Sequence, residues 1–96
     1  MSVLQDRKYC FCCGTTQNLQ KHHIFGGSSR SYSEEDGLWV WLCQEHHTGD
    51  SGVHFNKEMM DALHQIGQEA YEENHSRKQF VARYGKNYLE DGNYDF

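Results

Sequence analysis

The chain has 96 residues, slightly below the usual domain size of about 100–150, so we expect one domain without a separate effector module. Hydrophobic residues make up only 36% of the chain, whereas two Trp, six Tyr and five Phe argue against disorder. A protein that binds long duplex DNA by phosphate neutralisation alone has an excess of basic residues, whereas this chain has a net charge of −5. The charge therefore counts against a pure DNA-binding module. An enzyme that acts on nucleic acid with a bound metal ion is not excluded, because the ion adds positive charge.

The cellular compartment determines how the cysteines are interpreted. No apolar run approaches the roughly 20 residues of a membrane span, and the first residues lack the order of a signal peptide. We therefore expect a cytoplasmic protein with no membrane partner. In a reducing compartment, four Cys and seven His indicate metal ligands rather than disulfides, and a zinc ion would stabilise the thin core.

The first predicted elements are a cysteine turn and two strands. The turn at residues 10–14 precedes a short strand at residues 19–25 and a flexible loop that continues to about residue 36. Residues 37–42 are β-branched and aromatic and follow a glycine, which is typical of a strand. We expect the two strands to pair as a hairpin.

Helices are predicted for the second half. Residues 43–48 can open a helix that the glycines of residues 49–52 would break. Asn56 can cap a longer helix with an apolar stripe that extends to about residue 74. A last helix runs from about Ser76 to Gly85, and residues 89–96 form an acidic tail that we expect to be loose.

Two pairs of residues share the spacing of a structural zinc site. Cys10-x-x-Cys13 supplies two thiols, and Cys43-x-x-His46 supplies a thiol and an imidazole directly after the second strand. The spacing predicts one Cys₃His zinc site, which leaves Cys12 as the spare cysteine.

The remaining histidines occur in doublets. Neighbouring residues point to opposite faces of a strand and lie about 100° apart on a helix, so His22-His23 and His46-His47 should each divide their roles. One member of each doublet can bind a second metal ion. A histidine beside that ion would then be a candidate base.

These residues resemble the zinc-containing branch of the HNH (ββα-metal, or His-Me finger) endonucleases, including small phage-encoded and Ref-like members. The resemblance covers roughly residues 10–56. The matching elements, in chain order, are Cys10-x-x-Cys13-Gly14, Leu19-x-x-His22-His23-Ile24 and the run from Gly37 to Cys43-x-x-His46-His47.

The resemblance implies an α+β fold: a small zinc-stapled ββα-metal domain over residues 1–96, with a C-terminal helical extension at about residues 56–85. It also implies a DNA endonuclease that leaves 5′-phosphate ends. His23 would be the general base, while His22 and His47 would bind the catalytic divalent ion. A phage-encoded member would act in the host cytoplasm. The middle Asn of the family has no counterpart just before Cys43, so the residue that orients the base is not identified.

His54 is the candidate third ligand of the catalytic ion. On a straight helix it would lie about 10.5 Å along the axis from His47, but the glycines between them can fold the chain back. Three imidazoles favour Mn²⁺, Ni²⁺, Co²⁺ or Zn²⁺ over Mg²⁺. Lys21 and Arg30 flank the site in the sequence and are candidate phosphate contacts.

Two other functions remain open from the sequence. A zinc-stapled ββα module with decayed catalytic residues could bind DNA or a protein, and an acidic surface could serve an inhibitory protein that mimics nucleic acid. The acidic residues are too scattered to favour the second alternative. We expect His64 and His75, in the helical stretches, to have no function. The form of the nucleic acid, the oligomeric state and a protein partner that directs cleavage are left open.

Overall fold

The computed structural model describes residues 1–50 and 52–89, which form a small α+β domain with a two-stranded sheet and helices. The elements in chain order are β1 (Leu19–His23), α1 (Arg30–Glu35), β2 (Trp39–Cys43), α2 (Gln44–His47), α3 (Lys57–Tyr71) and α4 (Arg77–Tyr84). Short 3₁₀ turns lie at Gly27–Ser29 and Val53–Phe55. None of the helices in the described ranges is both long and apolar enough to cross a membrane. From residue 90 on, the predicted acidic tail lies outside the described residues.

The two strands pair antiparallel, which confirms the predicted hairpin. Leu19 lies opposite Cys43, and His23 lies opposite Trp39. The first strand ends at His23 rather than at residue 25, while the second begins at Trp39 rather than at residue 37 and extends to Cys43. Because consecutive strand residues alternate between faces, His22 and His23 begin on opposite sides of the sheet.

The helix α1 occupies most of the segment predicted as a flexible loop, so that prediction is wrong there. The helix has no side-chain cap, and tertiary contacts stabilise it instead. The buried hydroxyl of Ser33 donates a hydrogen bond to the carbonyl of Leu38 (2.5 Å) and accepts one from the amide of Phe25 (3.3 Å). After the helix, Asp36 pairs with Arg83 of α4 at 2.7 Å. These contacts outweigh the weak helix propensity of the segment.

The two longer helices confirm the predicted caps. The side chain of Asn56 accepts a hydrogen bond from the amide of Met59 (3.1 Å) at the start of α3, which ends at Tyr71 rather than near residue 74. A capping box of Ser76 and Gln79 begins α4, and Gly85 ends it in the left-handed conformation with a φ of 84°.

The core lies between the sheet and the two longer helices. Gly67 of α3 packs so closely that a Cβ there would lie 2.9 Å from Ile24 and 3.0 Å from Phe25. This close approach holds α3 against the chain just beyond β1. The large, fully buried hydrophobic side chains are Phe80, Ile24, Leu38, Leu42, Val40 and Val53.

Candidate metal centres and active site

Four potential metal ligands converge from two distant segments. Cys10 and Cys13 lie in the N-terminal turn, Cys43 ends β2 and His46 lies in α2, and their ligand atoms are all within 4.8 Å of one another. The two sulfurs of Cys13 and Cys43 are 3.8 Å apart. A tetrahedral zinc ion with bonds of about 2.3 Å to sulfur requires a separation of about 3.8 Å between sulfurs. The cluster can therefore hold a metal ion such as zinc.

The pKa shifts distinguish Cys10 from the spare thiol, Cys12. Burial acts to raise the pKa of Cys10, but backbone hydrogen bonds from Cys43, Cys13 and Cys12 outweigh it and lower the pKa to about 6. Partial desolvation and the charges of the other thiolates raise the pKa of Cys12 to about 11. Since thiolate is the form that binds metal, this contrast favours Cys10 over Cys12 as a ligand.

A second group consists of three histidines. One ring nitrogen of each of His22, His47 and His54 lies within 4.8 Å of the others. Nε2 of His22 is buried and has no hydrogen-bond partner in the described part of the chain. An unpartnered buried nitrogen is costly, and a metal ion is one group that would satisfy it.

The tautomer of His47 also suits a metal ligand. The side-chain carbonyl of Gln20 accepts a hydrogen bond from Nδ1 of His47 at 2.6 Å. Nε2 of His47 is therefore left with its lone pair, and a ligating histidine is typically oriented in this way by a second partner.

Burial favours the neutral forms of His22 and His47. It lowers the pKa of His22 to about 3, with smaller contributions from the charges of His47 and His54. Burial and the charge of His54 also lower the pKa of His47. A neutral imidazole is the form that coordinates a metal, so the lowered pKa values of His22 and His47 favour metal binding.

A glycine turn brings His54 back toward His47. The amide of Gly52 donates a hydrogen bond to the carbonyl of Gly49 (2.9 Å), and a Cβ at Gly52 would lie 2.7 Å from the carbonyl oxygen of His47. A Cβ at Gly49 would lie 2.8 Å from the backbone of Glu45. Neither position has space for a side chain without a shift of the backbone.

His23, the predicted base, bonds to a carboxylate. Its Nε2 lies 2.6 Å from Oε1 of Glu34 in α1. Because an ionised carboxylate only accepts hydrogen bonds, Nε2 of His23 carries the proton and Nδ1 keeps a lone pair. This partner was missed in the sequence, where Glu34 belongs to an acidic run that is typical of a solvated surface.

A cavity of about 380 Å³ joins these groups. Its described lining contains two cations and five histidines but no carboxylate, although the chain is acidic overall. Lys21 and Arg30 both line it, and the ammonium of Lys21 also contacts Glu34 at 3.3 Å. The lining residues are Lys21, His22, His23, Ile24, Gly26, Arg30, His47, His54, Met60 and His64.

His64 was expected to have no function, yet it faces this cavity. Its ring stacks on Phe25 at 5.4 Å and contacts Tyr88 at 4.5 Å between ring centroids. Burial lowers the pKa of His64. No sequence pattern distinguishes it from His75, which stacks instead on Tyr71.

No protein family model, curated protein or solved structure matches the chain in the three comparisons. The function must therefore be inferred from the residues and their geometry.

Proposed function

We propose that the chain is a metal-dependent endonuclease of the HNH type that hydrolyses DNA phosphodiester bonds. The observation that carries this proposal is that His23 and the group of His22, His47 and His54 line one cavity. A base beside a metal site is the arrangement that hydrolysis of a phosphodiester requires.

We assign a structural zinc ion to Cys10, Cys13, Cys43 and His46. The ligand set is closed, with four protein donors and none left for substrate, which is typical of structural rather than catalytic zinc. The cluster joins the N-terminal turn to the junction of β2 and α2. It would thereby hold the strand end and the helix that carries His47.

The catalytic ion is assigned to His22, His47 and His54. A divalent ion bound there would supply Lewis-acid stabilisation of the negative charge on the phosphate and on the leaving oxygen. Three nitrogen donors favour Mn²⁺, Co²⁺, Ni²⁺ or Zn²⁺ over Mg²⁺, which prefers oxygen ligands.

His23 provides the base. Its Nδ1 lone pair takes a proton from water while the water oxygen forms a bond to phosphorus. The bond from phosphorus to the 3′ oxygen breaks, so the phosphate stays on the 5′ end. The 3′ oxygen takes a proton from solvent water, and His23 returns its proton to solvent. The role requires the neutral form of the imidazole, in which Nδ1 is unprotonated.

The charge of the cavity supports an anionic substrate. Lys21 and Arg30 place positive charge at its wall, where the phosphates beside the cleaved bond could be held. The chain as a whole has a net charge of −5, so the cationic lining is a local feature of the cavity.

Nicking of supercoiled plasmid tests the proposal. The protein is first treated with a chelator that removes the loosely bound ion, and Mn²⁺, Ni²⁺, Co²⁺, Zn²⁺ and Mg²⁺ are then added back separately. We expect no nicking without added metal and nicking with the transition ions. DNA binding without nicking under every condition would contradict the proposal and favour a binding module.

A further inference from the structure

The base His23 has a partner that the sequence pattern does not provide. We propose that Glu34 is the positioning residue of the base: its carboxylate holds His23 in the orientation and tautomer that leave Nδ1 free to accept a proton. This inference rests on the proposed function and supplies the orienting group for which the sequence has no Asn.

The contact is specific in its geometry. The distance of 2.6 Å between Nε2 of His23 and Oε1 of Glu34 is short, as expected for a hydrogen bond to a charged acceptor. The side chain of His23 is only 8% exposed, whereas that of Glu34 is 49% exposed. The imidazole thus has little room to rotate, and the carboxylate reaches it from the solvent side.

Other contacts fix the carboxylate itself. Nζ of Lys21 lies 3.3 Å from both carboxylate oxygens, and the same ammonium lies 4.1 Å from the centre of the Trp39 ring. Lys21 therefore contacts both oxygens of Glu34, including Oε1, the one that bonds to His23. It also offsets a negative charge that would otherwise repel the phosphate of a substrate.

The backbone that carries Glu34 is held as well. Its neighbour Ser33 is fully buried and hydrogen-bonded to Leu38, and Asp36 at the end of the helix pairs with Arg83 at 2.7 Å. An exposed ion pair between Glu34 and Lys21 alone would contribute little to stability. We therefore infer that α1 places Glu34 to orient His23 rather than to stabilise the fold through this ion pair.

The experiment compares Glu34→Ala and Glu34→Gln with the wild-type protein and with Glu35→Gln, a control on the same helix. All four are zinc-loaded 96-residue chains, and each is measured for metal content, melting temperature and the kinetics of plasmid nicking. Glu34→Gln retains an oxygen that can accept the hydrogen bond from Nε2.

We expect Glu34→Ala to lower kcat by about 10–100-fold with little change in KM, as for other orienting partners of functional histidines. Glu34→Gln should recover most of the loss, and Glu35→Gln should resemble wild type.

A second readout does not depend on activity. In the NMR spectrum of the wild-type chain, the Nε2 proton of His23 should be protected from exchange and shifted downfield, with its assignment made from His23→Ala. We expect this signal to persist in Glu34→Gln and Glu35→Gln and to disappear in Glu34→Ala. Its absence from the wild-type spectrum would overturn the inference even if the protein cleaves DNA.

The two proposals can fail separately. If the wild-type chain nicks plasmid and Glu34→Ala retains its kcat, the positioning role is wrong and the nuclease stands. A fall in kcat accompanied by lost metal or a lower melting temperature in Glu34→Ala would also overturn the inference, because the role would then be structural. If the wild-type chain shows no nicking, the nuclease is wrong, and the role of Glu34 as positioning residue of a base falls with it.

Discussion

The rings of His47 and His54 lie with their centroids 4.9 Å apart, although a straight helix would separate the two residues by about 10.5 Å along its axis. The chain between them leaves α2, turns at Gly49 and Gly52 and enters the 3₁₀ turn Val53–Phe55. The candidate catalytic metal site thus depends on a turn as much as on its ligands.

Replacement of Gly52 should damage this site. In Gly52→Ala, the added Cβ would meet the carbonyl oxygen of His47 at 2.7 Å and that of Gly49 at 2.9 Å, and both are backbone atoms that cannot move alone. We expect weaker binding of the catalytic ion, measured by calorimetry, with the structural zinc content unchanged. Gly26→Ala is the matched control, because a Cβ at that cavity glycine meets nothing within 4 Å. Equal metal affinity in both variants would refute the role of the turn.

Removal of His54 should weaken binding of the catalytic ion without affecting the structural zinc ion. His54→Ala deletes one of three imidazoles but leaves the Cys₃His cluster intact. We expect lower affinity for Mn²⁺ and Ni²⁺, while one zinc ion per chain remains. In the wild-type protein, Ni²⁺ or Mn²⁺ should support nicking at lower concentrations than Mg²⁺. Unchanged affinity in His54→Ala would contradict the assignment of His54 as a ligand and would leave His22 and His47 as the two ligands.

The structural zinc ion should be required for folding. In Cys43→Ala, we expect loss of the zinc ion and of the folded state, because binding free energies at such sites are about 10–16 kcal/mol in zinc-finger peptides and stabilise the fold directly. Mass spectrometry would measure the zinc content, and circular dichroism would measure the loss of the folded state. Cys12→Ser is the control, since Cys12 is exposed and outside the cluster. Normal zinc content and melting in Cys43→Ala would show that the assignment is wrong.

The contact between α1 and α4 should produce a pH dependence at the alkaline end. Burial and the hydrogen bond that the hydroxyl of Tyr84 donates to Asp36 (2.5 Å) raise the pKa of Tyr84 above its usual value of about 10. Above about pH 10 the unfolded chain loses this proton first, so the free energy of unfolding should fall as the pH rises. At pH 8, Tyr84→Phe should be less stable by about 1–3 kcal/mol.

The difference between the wild-type protein and Tyr84→Phe should then shrink above pH 10 in urea unfolding experiments. Tyr32→Phe is the control, because that ring is 39% exposed and lies on the outside of the same contact. A difference that stays constant from pH 8 to pH 11 would contradict the assigned hydrogen bond.

The sequence predicts the elements that depend on local signals. The hairpin follows from its β-branched and aromatic residues. The start of α3 follows from its cap at Asn56, and the end of α4 follows from Gly85. The spacing of Cys10, Cys13, Cys43 and His46 identifies the first group of potential ligands. The second group came from the family resemblance and from the glycines before His54, and the structure brings both groups together.

The parts that the sequence does not predict depend on tertiary contacts. The helix α1 has no apolar stripe and is held by Ser33 and by Arg83, which is distant in the chain. Because α1 was not predicted, neither was the contact between Glu34 and His23. His64 was missed for a related reason, since only the packing of α3 against Phe25 brings its ring to the cavity.

The most direct test of the account is the rate of plasmid nicking by His23→Ala relative to wild type, with metal content measured in the same preparations. We predict a rate lower by about 10²–10⁴-fold with both metals still bound, because a general base acts in the transition state rather than in assembly. Wild-type nicking by this variant would contradict the mechanism, and loss of the catalytic ion would make His23 a ligand instead of the base.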